Sequence, residues 1–315
     1  MPKWSVIACD QHTSEPEYWD RLSDYIGNAP STLRMMLPEA YLPLGRKAGE
    51  ENACMLRYIN DGVFRCLKDS FIYIERTLSS GAVRRGLIGL LDLNGDVLAT
   101  EGVVSDRLPP RIAIRKEAPL EMPHALVFTE DNVFSSVEKG ELLYDFELNS
   151  GGGHIQGWLA EADGSLVKSA AIGDGNHSLA AARLCGDGHA LVELLDIRDD
   201  SIVFEPIHRV IFSTDSAFHH KIDFSRCSNY AEIISSCDEY CRNYVAAHGG
   251  CIDYIHGDET AARFGEQPGC ISILLPPLKK DELFDHVRKF GPYPKKSFSI
   301  GQAADKRYYL ECRKL

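Results

Sequence analysis

Apolar residues along this chain come in short runs separated by polar turns, and the spacing within each run separates strands from helices. The run WSVIAC at residues 4–9 ends in Asp10-Gln11-His12-Thr13-Ser14, the pattern of a buried strand that delivers side chains to a loop. Pro16 through Ile26 has helical spacing, with Ser14 as its cap and Glu17 three residues on to complete a capping box. Leu33 to Arg65 reads as mostly helical, broken at Pro38 and Pro43. From Phe71 to Val104 the texture is that of strands: FIYIERTL, LIGLLDL and DVLATEGVV, the last two separated by Asn94-Gly95. That dipeptide tolerates the positive φ of a type I′ turn, so a hairpin is expected there. Thr100-Glu101 then leads to a loop with Asp106, Arg107 and Arg111, stiffened by Pro109 and Pro110.

The segments HALVFT (124–129) and LLYDFEL (142–148) are further strands, the second entering Gly151-Gly152-Gly153-His154. HIQGWLAEA and LVKSAAIG flank a turn at Asp163-Gly164, again a hairpin pattern, and the helix SLAAARLC follows, stopped by Gly186. Residues 189–196 and 202–212 continue as strands. Beyond Asp215 the texture changes to a helix near 229–247, the strands CIDYIH and CISILLP, a helix near 280–289 and a last strand RYYLECR. The expected class is α/β, an α+β arrangement with a mixed sheet. It divides into a main domain over 1–214 and a smaller α/β segment over 215–315 whose last strand returns to the main domain.

Composition adds exclusions. At 44% hydrophobic and 25% charged residues, the 315-residue chain sits at the globular average and should fold throughout. Acidic residues outnumber basic ones 46 to 34, giving a formal charge of -12, with no basic run, which opposes a nucleic-acid footprint and disfavours anionic membranes. An anionic substrate therefore needs a locally positive pocket. The N-terminus lacks a signal-peptide pattern and no stretch is long and apolar enough to span a bilayer, so a cytoplasmic protein is expected. Ten cysteines lie scattered from Cys9 to Cys312 without a Cys-x-x-Cys, the pattern of reduced, mostly buried thiols.

Chemistry concentrates in SAAIGDGNHSLAAARL, where an apolar strand ends in a tight turn and an Ala-rich helix begins at once. The first amides of that helix, those of His177, Ser178 and Leu179, lack intrahelical partners in the expected geometry and form an anion cradle. Gly175 lets the backbone turn and a ligand approach, Asn176 is a good cap, Asp174 suits a metal or a hydroxyl, and His177 suits a phosphate or a proton shuttle. The plain structural alternative is an Asp-Gly turn with Asn176 capping the helix. Weaker candidates are the Gly151–His154 loop as a nest of amides, Glu101 as a general base at a strand end, and His208-Arg209 amid apolar residues. His12, His219 and His220 have no partners at metal-ligand spacing.

The stretch Gly173-Asp174-Gly175-Asn176-His177-Ser178-Leu179-Ala180 resembles the Asp-Gly-His-His-Arg signature of a widespread bacterial family of unknown function. The same signature recurs in the ParB/sulfiredoxin-like superfamily, which includes free-serine kinases. Further likeness to the unknown-function family lies in Val6 to Asp10, Thr100-Glu101 with Asp106-Arg107, Ile207-His208-Arg209-Val210 and Pro294-Lys295-Lys296-Ser297. The resemblance implies a ParB/sulfiredoxin-like core elaborated with extra strands. This chain has Asn176 where the commoner pattern has His, and Ser178 where it has Arg, which removes a bidentate phosphate clamp. Arg107, Arg209 or Lys296 would then have to substitute for it.

The function implied is a phosphate- or nucleotide-binding protein, most like a kinase acting on a small hydroxylated metabolite such as serine. Gly175, Asn176, Ser178, Arg107, Arg209 and Lys296 would bind phosphates of ATP or ADP, and Asp174 would hold Mg²⁺. His177, Glu101 or Asp10 would handle the hydroxyl proton beside Asp174. The rivals are a non-catalytic nucleotide- or metabolite-sensing module and a phosphatase-type hydrolase.

Overall fold

The structure is a computed structural model that describes residues 2–7, 12, 15–41, 44–45, 49–103, 105, 108–122, 125–214, 222–302 and 305–315. Asp10 and Arg107, together with Ser14, Cys9, His219 and His220, lie outside the described residues. The chain forms two compact units, one of 1–99, 103–201 and 303–315, the other of 100–102 and 202–302.

The first unit contains β1 (Val6–Ile7), α1 (Pro16–Ile26), α2 (Glu50–Asn60), β2 (Phe71–Thr77), β3 (Val83–Asp92), β4 (Val97–Ala99), α3 (Leu108–Glu117) and β5 (Leu120–Glu121). It continues with β6 (Leu126–Thr129), β7 (Glu138–Glu147), β8 (His154–Glu161), β9 (Ala170–Asp174), α4 (Asn176–Leu184) and β10 (His189–Asp196). Eight strands form one mixed sheet in the order β4-β9-β6-β10-β3-β2-β8-β7, with β4/β9 and β6/β10 parallel and the other pairs antiparallel. Both faces are covered. Successive side chains of a strand point to opposite faces, so Tyr73 and Leu87 enter one core with Ile172 and Leu179, while Ile74 and Ile88 enter another with Trp19 and Phe146. Two-sided burial is why these strands read as apolar runs without clean alternation.

Several turn signals misled. Neither Asn94 nor Gly95 takes a positive φ, and the strands beside them part company: β3 pairs β10 and β2, while β4 runs parallel to β9. The hairpin expected at Asp163-Gly164 also fails, because β8 pairs β7 and β2 whereas β9 pairs β4 and β6. The hairpins that do form are β2–β3 and β7–β8, and the Gly151–Gly153 loop joins the second pair. An ideal Cβ on Gly153 would lie 1.9 Å from the Thr77 carbonyl oxygen, so this glycine is demanded by close approach of backbone. The Gly152 carbonyl accepts a hydrogen bond from buried Arg76 Nε at 2.9 Å, which gives the loop a structural task.

Residues 33–60 are less helical than expected, with 3₁₀ turns at Thr32–Met35 and Glu39–Tyr41 before α2. The loop expected around Pro109 and Pro110 is instead the first turn of α3, where proline's missing N–H costs nothing. Glu15 rather than Ser14 is the N-cap of α1, and it makes no side-chain capping bond.

The last residues of the chain belong to the first unit: β15 (Tyr308–Tyr309) pairs β1 and β16 (Arg313–Lys314) pairs β5. The second unit is built on β11 (Phe204–Phe212), a strand buried on both faces, with α5 (Tyr230–His248), β12 (Cys251–His256), α6 (Asp258–Gly265), β13 (Ile271–Ile273), α7 (Leu283–Phe290) and β14 (Phe298–Ile300). Strands β12, β13 and β14 all pair antiparallel with β11. Helix α5 opens on Asn229, whose side chain accepts the Glu232 N–H while the Glu232 carboxylate accepts the Ser228 N–H at 2.7 Å. This reciprocal cap fixes where the helix starts.

Candidate functional site

Strand β9 runs buried from Ala170 to Ile172 and emerges at Asp174. Gly175 takes φ 93°, in the left-handed region, and a Cβ there would sit 2.8 Å from Ala125 Cβ. Only glycine fits, on both counts. Helix α4 starts at Asn176, so Gly175 is the N-cap and Asn176 the first helical residue, contrary to the expectation that Asn176 caps the helix. The Gly175 carbonyl accepts from the amides of Ser178 and Leu179, each at 3.0 Å. Those two amides, expected to face an anion, are thus spent within the first turn.

Asp174 is held from two sides. Its Oδ1 accepts the Gly175 N–H at 2.8 Å, and its Oδ2 accepts from Lys306 Nζ at 2.8 Å, with both side chains 24% exposed. Two residues on, Asn176 Oδ1 is buried and has no hydrogen-bond partner among the described residues, a costly state for an amide oxygen unless a donor arrives. The turn therefore presents a partly open carboxylate–ammonium pair and an orphaned acceptor.

Lys306 is not among the residues expected at the site, because it lies 132 residues from Asp174. The signal was there in Asp305-Lys306-Arg307, three charges set immediately before the apolar Tyr308-Tyr309 pair. Both neighbours of Lys306 are clamped by buried groups. The Asp305 carboxylate accepts from the Ser79 N–H and Oγ at 3.1 Å, and the Asp305 and Lys306 carbonyls accept from Arg76 Nη1 at 3.1 and 2.7 Å. Arg307 donates to Glu193 at 2.7 Å and to Glu311. Burial works against the Arg307 charge, yet the Glu311 and Glu193 carboxylates outweigh it and hold the guanidinium above its ordinary range. Burial, reinforced by the neighbouring Arg84 cation, pushes Arg76 down to about 9. The Lys306 backbone is consequently fixed while its ammonium stays reachable.

The second unit gathers another set of the expected residues. Thr100 accepts the Tyr293 N–H at 2.8 Å and Glu101 bridges Tyr293, which leads into the Pro294–Ser297 turn. Lys296 sits at φ 60°, unusual for a lysine, and its carbonyl accepts from Arg209 Nη1 at 2.7 Å. Ser297 donates to the Pro294 carbonyl at 2.6 Å, and Tyr230 donates to the Ser297 carbonyl at 3.0 Å. Arg209 is fully buried and spends Nε on Asp238 at 2.7 Å, so it holds this turn from inside. His208 is equally buried: its Nδ1 accepts the Leu275 N–H at 3.1 Å, which leaves Nε2 to donate to Asp258 at 2.9 Å. That arrangement ties β11 to α6 and to the segment after β13.

Asp174, Gly175, Asn176, His177 and Ser178 thus fall in the first unit, and Glu101, Arg209 and Lys296 in the second. Among the described residues, no cluster of three or more His, Cys, Asp or Glu side chains is placed to hold a metal ion. The nine described cysteines are free thiols, four of them buried. No helix among the described residues is long and apolar enough to cross a membrane.

Fold and site define a mixed α/β protein whose broad sheet carries a strand-turn-helix with a conformationally obligatory glycine and a charged pair at its mouth. The chain belongs to DUF1015, a family of proteins of unknown function, whose model matches residues 1–314. Comparison with curated proteins finds no match. Among solved structures the chain is similar to a conserved hypothetical protein from Pyrococcus furiosus, at 11% identity and a TM-score of 0.42 over 68% of this chain and 90% of that one. It is also similar to a free serine kinase in complex with AMP, at 13% identity and a TM-score of 0.41 over 72% and 91% of the two chains. A third is SbnI with a C-terminal truncation from Staphylococcus aureus, at 10% identity and a TM-score of 0.39 over 68% and 82%. These are distant likenesses.

Proposed function

We infer that the protein binds a small phosphorylated molecule, a nucleotide such as ATP or ADP being the leading class, at the 174–177 turn. Phosphoryl transfer to a small hydroxylated metabolite such as serine is the activity proposed. The observation that carries this reading is the Lys306–Asp174 pair at the mouth of the turn, with Asn176 Oδ1 orphaned two residues on. Lys306 supplies an ammonium for which a phosphate would compete with the Asp174 carboxylate. A hydroxyl donor would satisfy the Asn176 Oδ1, two residues along the chain from Asp174, which we propose as the general base.

Mg²⁺ at Asp174 fits this arrangement poorly. The carboxylate already accepts from a backbone N–H and from the Lys306 ammonium, which neutralises the charge a cation would seek. No step is therefore routed through a metal. Glu101 and Lys296 lie in the second unit and are given no part in this reading. Asp10, Arg107 and His177 are proposed for proton transfer and phosphate contact.

The replacement of the signature arginine by Ser178 favours a second reading, a binding module that senses the same ligand without turning it over. Purified wild type, Lys306→Met and Asp174→Asn, titrated with ATP, ADP and AMP with and without Mg²⁺, separate the readings. Loss of a charge-assisted hydrogen bond worth about 1.5–3 kcal/mol predicts roughly 10- to 100-fold weaker nucleotide binding by Lys306→Met. Asp174→Asn should abolish phosphate transfer while retaining the fold and much of the nucleotide affinity. Binding without turnover in wild type selects the sensing module, and unchanged affinity in Lys306→Met removes the site.

A further inference from the structure

The sequence has five methionines, and the four after Met1, namely Met35, Met36, Met55 and Met122, all line one cavity of about 190 Å³ in the first unit. Methionine is flexible and polarisable, so walls built from it adapt to ligands of differing shape. Among the described residues the charged side chains of the lining are two arginines and two glutamates, and they pair off. Arg111 donates to Glu39, and Arg115 donates to Glu121 at 2.8 Å. Arg115 also reaches Asp187 at 2.6 Å, and Arg313 braces the second Glu121 oxygen at 3.2 Å. Among the described residues each of these charges has an opposite partner, while the buried Arg115 Nη2 has no acceptor, a donor that an alcohol or carbonyl oxygen would satisfy, and burying an uncompensated charge here would be expensive.

We propose that this cavity is a binding site for a small, uncharged, mainly apolar molecule of about six to eight heavy atoms, such as a medium-chain alcohol or ketone. The size class follows from the volume, since an apolar cavity of about 150 Å³ suffices to take up benzene. Ser178 and Leu179 of α4 contribute to the wall, so the occupant lies against the helix that begins at the 174–177 turn. The site stands independently of the nucleotide reading.

The methionines are also the reporters. In full-length protein labelled with ¹³C at the methionine methyls, 1-hexanol should shift the resonances of Met35, Met36, Met55 and Met122 along one saturable isotherm. Hexanoate and hexylamine, of the same length but charged, should bind at least about tenfold more weakly. Ala118→Leu, which places a larger side chain in the lining, should weaken hexanol binding at least about tenfold without lowering the melting temperature. The absence of a saturable shift, equal binding by hexanoate, or unchanged hexanol affinity in a folded Ala118→Leu protein would each overturn the proposal.

Discussion

Gly175 combines a left-handed φ with a neighbour, Ala125, that leaves no room for a methyl group. Gly175→Ala should therefore cost about 1–3 kcal/mol, read as a lower urea midpoint with an unchanged slope. A stable variant would mean the turn relaxes more easily than its geometry indicates. His154 offers a second test at this scale. Its Nδ1 faces Glu147 at 2.9 Å and its Nε2 faces Asp145 at 2.8 Å. The Glu147 hydrogen bond is the largest influence and, joined by Asp145, raises the imidazole above its usual value despite slight burial. A folded-state value above the unfolded one means a contribution complete below the unfolded pKa, near 6.5, and lost as pH rises through the folded value. An NMR titration should find His154 titrating above 6.5 and moving down in Glu147→Gln. A value at or below 6.5 would contradict the bridging geometry.

At the scale of elements, α1, α4 and α5 were legible because each start and stop is written locally, in Pro16, in Gly175 and Gly186, and in the Asn229/Glu232 cap. Strand partners were not. Asn94-Gly95 and Asp163-Gly164 carry genuine turn chemistry, but β4 and β9 choose each other across the sheet, and pairing over such sequence separation leaves no local trace. The site divides the same way: Asp174 and Gly175 were visible in a single strand-turn-helix, whereas Lys306 arrives from a distant strand segment. That segment is held by Arg307, which shares Glu193 with Arg84 in the buried interior. Arg307→Met would leave the Glu193 carboxylate only Arg84, at 3.5 Å, and breaking a buried pair typically costs about 3–5 kcal/mol. Denaturation of the variant should show that loss, and Lys306-dependent ligand affinity should fall with it. A near-neutral effect would assign the pairing of Glu193 to Arg84 alone.

Across the whole molecule, the first unit takes its strands from both ends of the chain, with most of the second unit, residues 202–302, inserted between them. The acidic excess noted from composition does not prevent a dense interior of arginines, because Arg76, Arg84 and Arg307 are each matched by carbonyls or carboxylates inside the first unit. Deleting residues 305–315 removes β15, β16, Arg307 itself and the Asp305 and Lys306 carbonyls that Arg76 and Arg84 donate to, so it should abolish cooperative unfolding of the first unit. Calorimetry on the truncated chain would show it. A surviving first-unit transition would place its stability in the eight-stranded sheet alone. The same threading has a bearing on biosynthesis. A ribosome makes Asp174 and its turn long before Lys306, which emerges only after the entire second unit. A nascent or prematurely terminated chain carries the carboxylate without its cation, and the charged mouth of the site exists only once translation has run past residue 306. Synthesis past residue 306 is thereby a condition for assembling the charged pair, a dependence encoded in strand order.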